Sequence, residues 1–146
     1  MKTSFKIDGW DDLEKTIKEM EKLPQKCVTN AAKDGAKIAL AAAKAKAPED
    51  SGQLRKGVIL HGEKKTVTGK KVYDIMMDPA MNDVFVKEVK GKRYYYPASQ
   101  EFGFITKDGK KTPGKHFLRD ALVDNKAEIE NRVVERLAKE IDKVMK

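Results

Sequence analysis

Cysteine and histidine are almost missing from this chain: Cys27, His61 and His116 are the only ones in 146 residues. One cysteine excludes an internal disulfide and a thiolate-rich zinc site. With one thiol and two imidazoles, most metal and nucleophilic chemistries lack parts. Long apolar runs are also lacking. The strongest, Ala36 to Ala47, is broken by Lys37, Lys44 and Lys46. A spanning helix needs about 20 mostly apolar residues, so no membrane segment is expected. The first ten residues are polar and show no apolar h-region, so no secretory signal is expected either. Arginine is scarce, with 5 against 26 lysines. The planar arginine fork is what pairs with guanine edges. The lysine bias therefore argues for solubility or diffuse anion attraction over sequence-specific base reading.

What the chain has in quantity is charge. Charged residues make up 37% of it, against about 25% in an average domain. The net charge is +8, and it is unevenly placed: −1 in residues 1–23, +9 in residues 24–115 and 0 in residues 116–146. The length fits one domain, 1–146, able to bury roughly two thirds of its unfolded surface. No internal repeat or linker divides it.

Leu13, Ile17, Met20 and Leu23 follow helical spacing, which predicts an amphipathic helix over 11–23 capped by Asp11 or Asp12. Pro24 is expected to end it and to open a second helix running to about Ala47. In that helix Val28, Ala31, Gly35, Ala39 and Ala42 share one face, and Lys26, Lys33, Lys37 and Lys44 the other. Small residues admit a close neighbour, either a sheet beneath the helix or another subunit. Leu40 falls among the lysines and is expected on the outer face. Cys27 reads as a small buried filler.

After the turn cluster Glu49 to Gly52, strand-like runs follow at 57–62, 71–78 and 82–89. The first two are expected to form a hairpin with a basic loop over 62–71, and Tyr73, Ile75 and Met77 to share a face. Residues 93–97 read as an edge strand. Phe104 to Lys115 holds Asp108-Gly109 and Pro113-Gly114 and reads as a mobile basic loop. A last helix begins near His116, with a kink or restart at Asp124-Asn125. Glu128/Arg132 and Glu135/Lys139 have ion-pair spacing along it. The elements are segregated, not alternating. The expected class is α+β: N-terminal helices and a C-terminal helix packed on a small, mainly antiparallel β-sheet.

Residue types that could carry chemistry are few. His116 with Glu101 or Asp120 could form an acid–base pair, although a surface pair fits the spacing better. The adjacent acids Asp11/Asp12 and Glu49/Asp50 are explained by capping and turns. Thr68-Gly69-Lys70-Lys71 lacks the first glycine of a phosphate loop, and its lysine is not followed by Ser or Thr. Tyr94 to Tyr96 beside Lys92 and Arg93 could stack nucleobases, or pack as part of an edge strand. No catalytic residue, cofactor or metal is expected.

Two stretches together resemble a known family. Ala47-Pro48-Glu49-Asp50-Ser51-Gly52-Gln53-Leu54-Arg55-Lys56-Gly57-Val58 is the first. The second is Tyr96 to Gly103, ending Glu101-Phe102-Gly103. After a loop it continues as Pro113-Gly114-Lys115-His116-Phe117-Leu118-Arg119-Asp120-Ala121-Leu122. Their order and spacing resemble the neck, or head–tail connector and tail-completion, proteins of siphophages, myophages and prophages. Gly57, Phe104, His116 and Asp120 depart from the family pattern. The resemblance spans roughly residues 10–125.

It implies a structural assembly protein without catalytic groups, joining the tail to the head connector. It further implies a homo-oligomeric ring, often of six subunits, at the top of the tail. Such a chain can remain monomeric in isolation. Its partners would be other phage neck and tail proteins, not a membrane. Its place would be the virion neck after assembly in the bacterial cytoplasm. The motif residues expected to hold the fold are Pro48, Gly52, Leu54, Arg55, Tyr96, Glu101, Phe102, Gly103, Phe117, Leu118 and Ala121. Phe102 is expected as an apolar anchor, and Phe117, Leu118, Ala121 and Leu122 as an apolar helix face. Lys64, Lys65, Lys70, Lys71, Lys107, Lys110 and Lys111, on the two basic loops, are the candidate subunit contacts. The alternative is a non-specific nucleic-acid binder, for which the same lysines would meet phosphates.

Overall fold

A computed structural model describes residues 10–65 and 67–146. The polar stretch 1–9 lies outside the described residues. The first described elements are α1 (Trp10–Lys46) and a short α2 (Gln53–Gly57). The hairpin β1 (Val58–Gly62) and β2 (Tyr73–Met77) follows. Next come α3 (Asn82–Phe85), β3 (Val86–Val89), β4 (Lys92–Tyr95) and α4 (Tyr96–Phe102). The chain continues with β5 (Gly103–Ile105), β6 (Lys111–Pro113), α5 (Phe117–Val123) and α6 (Lys126–Met145). The class is α+β, as expected. Among the described residues the β-structure is three separate antiparallel hairpins, β1–β2, β3–β4 and β5–β6, not one sheet. No described helix is long and apolar enough to cross a membrane.

The expected break at Pro24 does not occur: α1 runs through it for 37 residues. Proline in a helix interior removes a hydrogen bond and costs about 3 kcal/mol. Packing on the neighbouring turns offsets part of that cost, since Cys27 is buried and Leu23 and Val28 are half-buried. Leu23, Pro24, Cys27 and Val28 line a groove whose other wall is Leu137, Ile141, Val144 and Met145 of α6. Met20, whose carbonyl loses its helical donor, is exposed to water. Residues 11–22 are all exposed, so these turns of α1 project from the other described elements.

Further along, α1 buries Cys27, Ala31, Gly35, Ala39 and Ala43, and Ala47 just past its end continues the pattern of a small residue at every fourth position. Four residues turn an α-helix by slightly more than one full turn. The stripe therefore winds around α1 and serves two neighbours. Its middle meets α6, where a Cβ at Gly35 would lie 2.5 Å from Val133 Cγ2 and 3.3 Å from Ile129 Cγ2. Its end enters the main core. There Ala43 and Ala47 pack with Leu54, Val58, Met77, Phe85, Phe117 and Ala121. Leu40 packs against this core and is not on the outer face. Its position, three residues before Ala43, puts it on the flank that the winding stripe reaches.

In β1–β2, Val58 pairs with Met77 and Leu60 with Ile75, so one face points inward. The run 82–89 is only half strand. Asp78 caps a 3-10 turn at Pro79–Met81 by accepting from Ala80 N at 2.9 Å, and the helical course continues through Phe85. That turn sends Phe85 into the core, edge-on to Tyr95 at 6.4 Å between centroids. Phe85 also packs close enough to Gly57 that a Cβ there would meet its ring at 2.5 Å.

The last helix is divided at Asp124-Asn125, as expected. The ion pairs on α6 differ from the expected ones. Among the described residues they are Lys126–Glu130 at 3.9 Å, Arg136–Glu140 at 2.8 Å and Lys143–Glu140 at 3.7 Å. Arg136 also reaches across to Asp34 of α1 at 3.5 Å. Glu140 is buried and holds its cations, while exposed pairs at the expected positions would gain little.

Candidate functional site

The first motif closes the C-terminal end of α1. Pro48 is buried, and Gly52 adopts φ +70°, the left-handed turn that starts α2. Leu54 and Val58 are buried in the core. Arg55 folds back over α1: its Nε donates to the Lys44 carbonyl at 3.0 Å and its guanidinium also pairs with Glu49. A cation on the last carbonyls of a helix satisfies orphan acceptors and complements the dipole. Lys46 pairs with Asp124 at 2.6 Å beyond α5. The hydrogen bond to Asp124 raises the Lys46 pKa above its ordinary value.

The second motif is a clasp between two segments far apart in sequence. Glu101, on α4, is buried with 6% of its surface exposed. Its carboxylate accepts from Leu118 N at 2.9 Å and Arg119 N at 3.1 Å, the free amides at the start of α5. The Glu101 and Gln100 carbonyls accept from His116 N at 3.1 Å and Lys115 N at 2.7 Å. Gly103 (φ +83°) and Gly114 complete the clasp, because a Cβ on either would collide with the opposite backbone. His116 sits in the left-handed region at φ +47° as the chain enters α5. Phe117 and Ala121 are fully buried and Leu118 partly so.

This geometry corrects three expectations. Glu101 spends its carboxylate on backbone amides, not on a His116 pair, and Asp120 is held by Arg119 Nε at 2.9 Å. Phe102 is not an anchor: it is 74% exposed, because helical α4 turns Glu101 inward and Phe102 outward. Leu122 is likewise half exposed, on the outer side of α5.

The motifs meet through Tyr96, whose hydroxyl donates to Asp50 Oδ2 at 3.1 Å. Burial, then the hydrogen bond and charge of Asp50, push the Tyr96 hydroxyl above its ordinary pKa. Beside it lies a concavity of about 410 Å³ lined by Ser51, Gln53, Val84, Lys87, Tyr94 and Tyr96, among others. Tyr95 faces the core and Tyr94 faces outward, as alternation on β4 requires.

The two basic loops are both hairpin turns. At the first, Lys64, Lys65 and Lys70 are exposed. Lys71 is half-buried: its Nζ donates to the Glu63 carbonyl at 2.7 Å and lies 5.4 Å from the Tyr73 ring centre. The turn is fastened to α1 by Gln25, which accepts from Gly69 N at 2.8 Å and donates to the Lys70 carbonyl at 3.0 Å. Nothing in the sequence pattern marked Gln25, since a lone glutamine on a helix carries no periodic signal. The second loop, expected to be mobile, is the ordered β5–β6 hairpin. Thr106 closes it by exchanging hydrogen bonds with Lys110. Lys107, Lys110 and Lys111 are exposed around it, together with Phe104 and Ile105. Among the described residues no group of three or more His, Cys, Asp or Glu is placed to hold a metal.

Residues 11–79 match the family model HK97-gp10-like, described as "Bacteriophage HK97-gp10, putative tail-component". The resemblance drawn from the motifs therefore holds over α1, the first motif and the β1–β2 hairpin: this part of the chain carries the sequence pattern of a phage tail-component family. The match stops before the second motif. No curated protein and no solved structure matches the chain.

Proposed function

We propose that the chain, acting as one unit over 1–146, is a structural subunit of a ring at the top of a phage tail, where it joins the tail to the head connector. The family match over 11–79 carries this reading. The site geometry supports it. Arg55 and Glu101 are engaged in capping helices, and Gly52, Gly103 and Gly114 in shaping backbone. The exposed surface available for contact includes two lysine-bearing hairpins and apolar side chains on α1, β5, α5 and α6. The role is assembly, not catalysis, and its partners are other neck and tail proteins. Deleting the gene is expected to leave heads and tails that form but do not join. Normal infectious particles from the deletion would overturn the proposal.

A second reading, non-specific DNA contact, is favoured by the exposed lysines of both hairpins. Phosphate contact predicts binding that weakens steeply with added salt. Absence of binding in low salt would reject it.

A further inference from the structure

We propose that a second copy of this chain seats its β5–β6 hairpin in the apolar groove between α1 and α6, so that copies join head to tail. The inference rests on the ring reading above and names the two surfaces that would build it.

The groove is real estate with no cover in the described fold. It measures about 320 Å³ and is lined by Met20, Leu23, Cys27, Leu137, Ile141 and Val144, among others. Leu13 and Ile17 extend the same stripe along the projecting turns of α1, each about half exposed. Isolated exposed apolar residues are ordinary, but a continuous stripe leading into a groove marks a contact surface.

The hairpin has the complementary character. Phe104 and Ile105 are exposed on β5, Ile105 at 65%, and Phe102 precedes them at 74%. Charge selects between possible partners. Residues 10–23 of α1 carry five acids and three lysines, net −2, including Asp11, Asp12, Glu14, Glu19 and Glu21. Residues 104–115 carry four lysines and one aspartate, net +3. Beside the groove itself the charges are mixed, with Glu21, Lys22 and Lys26 on α1 and Glu140, Asp142 and Lys143 on α6. On the projecting turns the acids flank Leu13 and Ile17 and fit a lysine-flanked apolar hairpin, whereas two copies of the helix end would oppose like charges.

One molecule cannot satisfy both surfaces. The base of the hairpin is clasped to the segment bearing Phe117, which packs with Ala43 and Ala47. Met20 lies 23 residues earlier on α1, about 35 Å along the axis. Strands of three residues reach only about 10 Å. Two different patches at opposite ends of a subunit make a heterologous contact, the kind that closes into rings.

The test places one cysteine on each surface in full-length chain carrying Cys27→Ala. Ile17→Cys and Ile105→Cys both alter exposed side chains, and circular dichroism checks their fold. The two chains, one enlarged by a tag, are concentrated and treated with a short bis-maleimide. The expected result is a mixed dimer several-fold more abundant than either self-dimer. Lys107→Glu/Lys110→Glu/Lys111→Glu on the hairpin chain should abolish it, and Glu14→Lys/Glu19→Lys/Glu21→Lys on the helix chain should restore it. An Ile17–Ile17 self-dimer as the main product, no mixed dimer, or insensitivity to charge reversal would each overturn the proposal. The gene deletion reports separately. Unjoined heads and tails without a mixed dimer reject this interface alone. A mixed dimer with normal deletion particles rejects the tail reading alone.

Discussion

The carboxylate of Glu101 lies 2.9 Å from the amide nitrogen of Leu118, buried between two segments separated by the whole β5–β6 hairpin. A charged acceptor on two amides is among the stronger hydrogen-bond arrangements. Glu101→Ala removes both bonds and leaves the amides of Leu118 and Arg119 without their acceptor. The expected loss is about 2–3 kcal/mol. Glu101→Gln retains one acceptor oxygen and should lose about half as much. Thermal unfolding followed by circular dichroism measures both. Equal stability of Glu101→Ala and the parent would contradict the clasp.

Gly35 of α1 lies against Val133 of α6, with no room for a side chain between them. Alanine is the better helix former by about 1 kcal/mol, so Gly35→Ala on an open surface would stabilise. Here its Cβ would stand 2.5 Å from a β-branched side chain with little rotamer freedom. Overpacking is expected to win, with a net loss of about 1–2 kcal/mol. Adding Val133→Ala should recover most of it, and a double-mutant cycle in urea would show that coupling. Additive effects would mean that the helices do not meet as described.

Much of this architecture was readable because burial leaves a periodic trace. The alternation of Tyr73, Ile75 and Met77 announced β2, and Asp124-Asn125 announced the division between α5 and α6. Local signals failed where distant packing overruled them. Pro24 reads as a stop, but the helix continues past it, with Cys27 buried and Val28 half-buried on the next turn. Val84-Phe85-Val86 has strand composition, yet the capped turn at Asp78 carries the helix through Phe85. The clasp was half legible. The motif singled out Glu101, while its acceptor role depends on an α5 amide pair 17 and 18 residues away. Gln25 was invisible, because its partners at Gly69 and Lys70 are set by how the hairpin folds onto α1.

Tyr96 gives a pH dependence with a definite sign. Its folded-state pKa is raised above the ordinary value of 10.0, first by burial and then by its hydrogen bond to Asp50 and that group's charge. The unfolded chain therefore releases this proton at lower pH than the folded chain. The contribution of Tyr96 is fully present below pH 10 and declines as pH rises through the folded-state value. Tyr96→Phe should flatten the alkaline fall in stability while sacrificing the Asp50 bond at neutral pH. Denaturation midpoints from pH 8 upward test this. A steeper alkaline fall in Tyr96→Phe than in the parent would reverse the assignment.

Gln25 fastens the turn of the β1–β2 hairpin to α1 with one accepted and one donated hydrogen bond. Both lie near the surface, so the expected cost of Gln25→Ala is modest, about 1 kcal/mol. The sharper consequence is local. Gly69 N loses its acceptor, and the turn bearing Lys64, Lys65 and Lys70 gains freedom without the hydrophobic core being touched. Amide exchange at Gly69 should accelerate several-fold, while amides of the core strand β1 keep their protection. Gln25→Glu separates the two bonds, because a carboxylate can still accept from Gly69 N but cannot donate to the Lys70 carbonyl. Slow exchange at Gly69 in Gln25→Glu, with fast exchange in Gln25→Ala, is the pattern this geometry requires. Unchanged exchange in both variants would show that the hairpin holds its place without α1.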